Sequence, residues 1–486
     1  MSAALFTTLA FLALPPAAEE IDRYVQTAMD RWQTPGLALV IVQHDRIVHL
    51  QGYGRESLET KTPVTADTVF PLASCTKPLT ATLLAMLVDD GKLRWDDPVR
   101  KHLPDFQLKD PWATERATVR DLLCHRTGIG PHPLLWYQSP LSLDERIRKL
   151  SLLEPDSEFR TEFHYQTVAF GAEGVAGERA AGRPWADLMR ERVFAPLGMT
   201  SSSAVEPEKA KSLARPHIRG RDGVIRGMPR YPLKQPDPAG SVHSTARDLS
   251  RFLRMQLADG SLDGKPLLSP ARIRDLQQAH VIVPMEGSSA QLNPETVQIG
   301  YGLGWIVQDY RGRKMILHGG AIDGFRSHLV LFPEAQIGIG ILSNLDSVLC
   351  NFALANVLAD RLLEMKPRGW FDEIAKLEET VAKQDARRST LLRARRPANA
   401  QPLVPLKDYV GVYEDPAYGP CEVKLTDRGL EVVLRSMRSP LELYAGHLFL
   451  ADEPPFRDAP FEFVSAADGT IRELHFLQRT FLRKAK

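Results

Sequence analysis

Cysteine is scarce in this chain, and the four present stand far apart. Cys75, Cys124, Cys350 and Cys421 are all that 486 residues hold, with no Cys-x-x-Cys among them. That excludes a disulfide framework and a cysteine zinc site. An excess of charge of either sign is missing as well: 61 Lys and Arg stand against 60 Asp and Glu. No basic stripe marks a nucleic-acid surface. The one basic concentration, Arg387, Arg388, Arg393, Arg395 and Arg396, ends at Pro397 and reads as a solvated connector. Long apolar runs are missing too; Ala3 to Leu14 falls short of the ~20 residues a membrane helix needs. No Gly-x-Ser-x-Gly elbow, no His-Glu-x-x-His and no lysine-bearing phosphate loop occurs. His125 and His132 have no carboxylate at ligand spacing, so they read as loop histidines. Nothing here implies a metal or a cofactor.

What is present is an ordinary globular composition, 43% hydrophobic and 25% charged, in a chain long enough for two or three domains. Residues 1–20 resemble a secretory leader: an apolar run, then Pro15-Pro16-Ala17-Ala18 and Glu19-Glu20, although the leading charge is absent. The expectation is export, to a periplasm or the exterior, with a cytoplasmic location as the alternative. Leu37 to Gly54 reads as a β-hairpin turning at His44-Asp45. Lys314–Leu317, Phe325–Phe332 and Ile337–Leu342 read as strands, with turns at Gly319-Gly320 and Pro333-Glu334-Ala335, and Cys350–Leu363 as a helix. Strands from both ends of residues 21–365 therefore share one unit, with helices inserted between them. Residues 366–403 read as a linker with an exposed amphipathic helix around Ile374, Leu377 and Val381. Residues 404–486 alternate in short runs about Asp427-Arg428-Gly429 and Asp468-Gly469, which predicts a small antiparallel β domain.

Ser74-Cys75-Thr76-Lys77 opens an apolar helical pattern through Leu79, Leu83, Leu84, Leu87 and Val88, with Gly91 as its stop. A serine and a lysine three residues apart on a first helical turn face the same way. The hydroxyl then lies beside an amine that can take its proton, at a helix end that favours negative charge. Alone, the motif reads equally as a serine N-cap before a solvated lysine. Cys75, a step round the helix, reads as a packed small residue. Phe163-His164-Tyr165-Gln166-Thr167, His318-Gly319-Gly320-Ala321 and Asp121-Leu122-Leu123-Cys124-His125-Arg126-Thr127-Gly128 add further polar groups in a fixed order. Trp136-Tyr137 either lines a cleft or anchors its own loop.

Together with Phe70-Pro71-Leu72-Ala73 before Ser74, these segments resemble the serine β-lactamase and penicillin-binding-protein superfamily. The similarity is to its class C-related branch of esterases, D-aminopeptidases and D-Ala-D-Ala carboxypeptidases. It extends to Pro238-Ala239-Gly240-Ser241, Tyr301-Gly302-Leu303-Gly304-Trp305 and Leu342-Ser343-Asn344. Literal Ser-Asp-Asn and Lys-Thr-Gly strings are absent, which argues against the class A and larger transpeptidase patterns. The resemblance implies an α/β (α+β) β-lactamase/transpeptidase-like fold, an antiparallel sheet flanked by helices plus a helical subdomain. The region after Leu406 is similar to the lipocalin-like β-barrel appended to some members.

The resemblance also implies roles. Ser74 would be the nucleophile, with Lys77 and Tyr165 sharing general base and acid work. The backbone N–H groups of Ser74 and Ala321 would form the oxyanion hole. The ammonium beside Tyr165 is expected to lower the phenol's pKa, and Gly319 and Gly320 to let substrate approach the strand. His318, where many relatives carry lysine, would bond Tyr165 or a substrate carboxylate and bring pH dependence. Thr167 replaces the asparagine of Tyr-x-Asn and offers substrate a shorter contact, so β-lactam hydrolysis is expected to be weak or absent. The expected activity is acyl-enzyme hydrolysis of small esters or short peptides, perhaps with a D-residue. The alternative is a non-catalytic peptide- or muropeptide-binding scaffold. The C-terminal domain would cap the cleft, restrict substrate size or mediate homo-oligomers.

Overall fold

The computed structural model describes residues 16–346 and 348–484. The expected leader falls mostly on residues 1–15, outside the described residues, and the first helix, Ala18–Trp32, begins within the 1–20 stretch. No helix among the described residues is long and apolar enough to cross a membrane.

One antiparallel sheet of eight strands organises the larger domain. Its order is Arg46–Gly54, Gly36–Gln43, Ile337–Ser343, Phe325–Phe332, Arg313–Ile322, Ile306–Tyr310, Ile299–Tyr301, Val281–Val283. Strands from opposite ends of the domain pair within it as second and third in order, in register from Leu37 against Ser343 to Gln43 against Ile337. Gly36–Gln43 is buried at every position because helices cover both faces. Ala38, Val40 and Val42 join the core on the side of the helices Thr76–Asp89 and Ala246–Leu257. Leu37, Leu39 and Ile41 face the other way, towards Ala18–Trp32 and Cys350–Leu362. Period-two alternation thus serves two apolar faces at once, which is why the strand reads as an unbroken hydrophobic run.

The hairpin and three later strands lie where the sequence places them, with one consequential difference. His318-Gly319-Gly320-Ala321 lies within the strand Arg313–Ile322, and the chain reverses at Asp323-Gly324. The glycine pair is a point of close approach: a Cβ on Gly320 would lie 2.2 Å from the Leu72 carbonyl oxygen and 2.1 Å from Ser327 Oγ. Only glycine lets this strand abut the turn before Ser74.

The C-terminal unit is a closed barrel of eight antiparallel strands, from Gly411–Asp415 to Arg479–Arg483, sealed where Tyr413 pairs Arg483. Its bore is filled: Phe461 stacks on Phe476 at 4.1 Å, and Tyr409, Phe449 and Phe463 meet edge to face. The linker contains the helix Trp370–Ala394, and its basic end is not simply solvated. Arg393 pairs with Glu442, Asp452 and Asp458, and Arg396 with Glu442, because the helix lies along the barrel's acidic edge. The barrel also grips the segment between 132 and 152. His132 Nδ1 meets Tyr418 Oη at 2.6 Å, Arg435 donates to the Tyr137 carbonyl at 2.5 Å, and Arg479 donates to the Leu152 carbonyl at 2.9 Å.

Two packing features are testable. Glu173, fully buried, has neither carboxylate oxygen hydrogen-bonded, and burial with nearby Asp121 holds its pKa well above the ordinary value. The unfolded carboxyl ionises above a pH of about 4.3 while the folded one stays protonated, so this group subtracts stability as pH rises. Glu173→Gln is expected to raise the melting temperature more at pH 8 than at pH 5; an equal change at both would refute the assignment. Gly320→Ala is expected to destabilise by about 3 kcal/mol or more through overpacking. Thermal melting checks this, and an unaltered midpoint would contradict the close approach.

Candidate active site

The serine sits where two backbone features meet. Ala73–Cys75 forms a single 3₁₀ turn leading into the helix Thr76–Asp89, and Ala73 is held at φ 46°, in the left-handed region. Such a conformation in a non-glycine residue costs of order 1–3 kcal/mol and persists only where its surroundings impose it. Here they do: the Ser327 hydroxyl donates to the Leu72 carbonyl at 2.6 Å, and Cys75 Sγ donates to the His318 carbonyl at 3.1 Å. Cys75 is therefore a packed small residue that ties the turn to the strand. The helix stops at Asp89, and Gly91 just beyond it takes φ 72°.

Lys77 is fully buried. Its Nζ donates to Ser74 Oγ at 3.3 Å and to the Ala239 carbonyl at 2.9 Å. Burial pushes the amine down to about 7, against the opposing pull of the Asp237 carboxylate. The tract from Pro238 is fastened to the same helix by two more bonds: Thr80 Oγ1 to the Pro238 carbonyl at 2.7 Å, and the Val242 N–H to Thr76 Oγ1 at 3.0 Å. Asp237 accepts from the Ala239 N–H at 3.0 Å and from Arg146 at 3.0 Å.

Tyr165 lies beside the pair, but not as expected from the sequence. Lys77 Nζ stands over the face of its ring, 4.8 Å from the centroid. Burial raises the phenol's pKa, and a hydrogen bond with Ser74 only partly opposes this. The expected lowering fails because Lys77, itself pushed down to about 7, has lost its charge before the phenol would ionise. Tyr165 is held in place by His125, whose ring centroid is 4.4 Å away. Buried His125 accepts the Gln166 N–H at Nδ1, 3.1 Å, and Gln166 in turn caps the helix Thr167–Ala181. So His125 is no mere loop histidine. The tract Asp121–Gly128 carried its signal in the sequence, but its aromatic contacts are long-range.

His318 departs furthest from expectation. It is buried, its Nε2 meets Tyr301 Oη at 2.9 Å and its Nδ1 meets the Gly319 carbonyl at 2.7 Å. Desolvation, helped by nearby Lys77, pushes it down to about 3. It neither bonds Tyr165 nor faces the cleft, because Tyr301 occupies the nitrogen that would do so. Gly319 and Gly320 do not line the cleft either; Gly320 serves the serine turn. Ala321 does line it, exposed on the strand segment that outruns its neighbour, whose pairing ends at Ile306 with Leu317.

The cleft, of about 750 Å³, opens over Ser74. Tyr165, Thr167, Trp136, Tyr231 and Asp237 lie on its walls. Trp136 lines it, whereas Tyr137 anchors the loop: its hydroxyl donates to Asp323 at 2.8 Å and its ring stacks on Tyr231 at 5.3 Å. Among the described residues no cluster of His, Cys, Asp and Glu could hold a metal ion. Ser74, Lys77, Tyr165, Thr167 and Ala321 are thus brought together, and His318, Gly319 and Gly320 stand behind them.

Comparison with known proteins fits this geometry. A hydrolase of unguisins from Aspergillus campestris is 29% identical over 427 residues, 83% of this chain and 77% of that protein. The D-amino acid amidase of Ochrobactrum anthropi, solved with L-phenylalanine amide, is 26% identical with a TM-score of 0.58, over 71% of this chain and 98% of that one. The octameric penicillin-binding protein homologue of Pyrococcus abyssi, 22% identical, shares the fold with a TM-score of 0.64 over 96% of this chain and 100% of that one. Residues 395–484 match the domain of unknown function DUF3471. Residues 21–360 match the beta-lactamase family, and by that match the chain belongs to it.

Proposed function

We propose that this protein is a metal-free serine hydrolase that works through an acyl-enzyme on small esters or short peptides. The observation that carries the reading is the dry Lys77 amine 3.3 Å from Ser74 Oγ, with a pKa near 7. At neutral pH much of that amine is unprotonated and can accept the serine proton as Oγ attacks an acyl carbon. The oxyanion so formed is held by the N–H groups of Ser74 and Ala321. The proton then passes through the Tyr165 hydroxyl to the leaving group as its bond to carbon breaks. Water reverses the sequence and frees the acid. With its pKa raised, Tyr165 acts here as a hydroxyl relay and Lys77 as the base. Thr167 offers the acyl group one hydroxyl. The D-amino acid amidase among the similar proteins supports amide substrates, and the unguisins hydrolase supports hydrolysis as the reaction.

Intact-protein mass spectrometry with an activated short-chain ester, a D-alanyl peptide and a penicillin tests the nucleophile. A Ser74-dependent adduct or product is expected, lost in Ser74→Ala; none with any probe would favour the binding scaffold. The pH dependence tests the base. Below its pKa Lys77 is an ammonium and cannot take the proton, so kcat/KM is expected to rise with pH through an inflection near 7. That limb is expected to stay in place in His318→Gln, since His318 is already neutral there. A limb that moves with His318 would contradict the assignment of Lys77.

A further inference from the structure

Tyr165 has to aim one hydroxyl at a departing group, yet its own hydrogen bond goes to Ser74, the reacting residue. Its aim must therefore come from its flanks, and one residue holds both. The His164 N–H donates to the His125 carbonyl at 2.8 Å, and the Gln166 N–H donates to His125 Nδ1 at 3.1 Å. Between those two bonds the His125 ring packs on the Tyr165 ring, centroids 4.4 Å apart, with Tyr301 at 4.9 Å from it. His125 takes φ 60°, in the left-handed region, and backbone strain of that kind gathers at functional sites. A donor at Gln166 needs a bare Nδ1, so the ring proton sits on Nε2, which is buried and has no hydrogen-bond partner. Burial, with Lys77 and His318 nearby, holds the pKa well below the ordinary histidine value and so keeps Nδ1 an acceptor. An unpaired buried donor is unfavourable. Were packing its only task, a phenylalanine here would avoid that penalty.

We infer that His125 is a positioning residue for proton delivery: by clamping the chain on both sides of Tyr165 it aims the hydroxyl at the leaving group, and so decides whether poor leaving groups can be expelled. This rests on the proposed acyl-enzyme reading. In the step concerned the bond from the acyl carbon to the leaving oxygen or nitrogen breaks, and its electron pair stays on the leaving atom. That atom takes the Tyr165 proton, which the Lys77 ammonium replaces. A nitrophenolate departs without the proton, whereas an alkoxide or an amine needs it. One acyl group, joined to a nitrophenol, an aliphatic alcohol or an amine, is therefore offered to the full-length wild type, His125→Phe and His125→Asn. Phenylalanine keeps a ring but cannot accept the Gln166 N–H; asparagine keeps an acceptor and tolerates the left-handed backbone. In His125→Phe, kcat/KM is expected to fall ~30-fold or more for the alkyl ester and the amide. For the nitrophenyl ester the fall is expected to be ~3-fold or less. Should that variant fail to fold, His125→Asn, which deletes the ring, is expected to show the same selective loss at smaller size. Amide hydrogen exchange reads the clamp without turnover: the Gln166 N–H should exchange ~10-fold faster in His125→Phe, with the helix Thr76–Asp89 unaltered. Losses equal for all three leaving groups, or unchanged protection at Gln166, would overturn the inference. A wild type that hydrolyses none of the three would instead count against the acyl-enzyme reading, and exchange at Gln166 would still judge the clamp.

Discussion

An amine without water around it governs the arrangement near Ser74. Lys77 is enclosed, so its charge is unfavourable there, and its hydrogen-bonding capacity is met by two fixed oxygens, Ser74 Oγ and the Ala239 carbonyl. Moving either oxygen would leave the buried amine one partner short. The Pro238–Val242 tract is accordingly fastened to the serine helix by Thr76 and Thr80, and Asp237 is fixed by Arg146 and the Ala239 N–H. Positioning and electrostatics here are one requirement: the contacts that hold the lysine still also keep it dry.

The sheet supplies the second half of the site by running one strand past its neighbour. Beyond Leu317 the strand Arg313–Ile322 is paired only with Phe325–Phe332, which leaves its other edge facing the serine turn. Gly320 permits the contact, Ser327 and Cys75 bond across it, and Ala321 emerges at the cleft. Left-handed Ala73 is sustained by this contact, so backbone strain and the placement of the Ala321 N–H have a common origin.

The barrel bears on the cleft indirectly. Its bore is filled with aromatic rings, so its working surface is the outside. From there Arg435 holds the Tyr137 carbonyl, while Tyr137 stacks on Tyr231 and bonds Asp323, two residues beyond Ala321. The loop carrying Trp136 is thus braced between the two domains.

Sequence by itself determined the turn carrying Ser74, the two-faced strand Gly36–Gln43, the hairpin and the alternating strands of the barrel. Each is written in local spacing: three residues from Ser74 to Lys77, or an apolar run bounded by turn residues. The family resemblance brought distant segments into one site before any fold was known. Tertiary structure alone decided their chemistry. That Lys77 would be dry, that Tyr301 would take His318, and that His125 would brace Tyr165 all depend on contacts between residues far apart in the chain. The same holds for Gly319-Gly320, which reads as a turn locally and becomes strand because it pairs with His328 and Ser327 of the next strand. Burial sets pKa and partner, and burial is a property of the packed whole, which no short window of sequence contains.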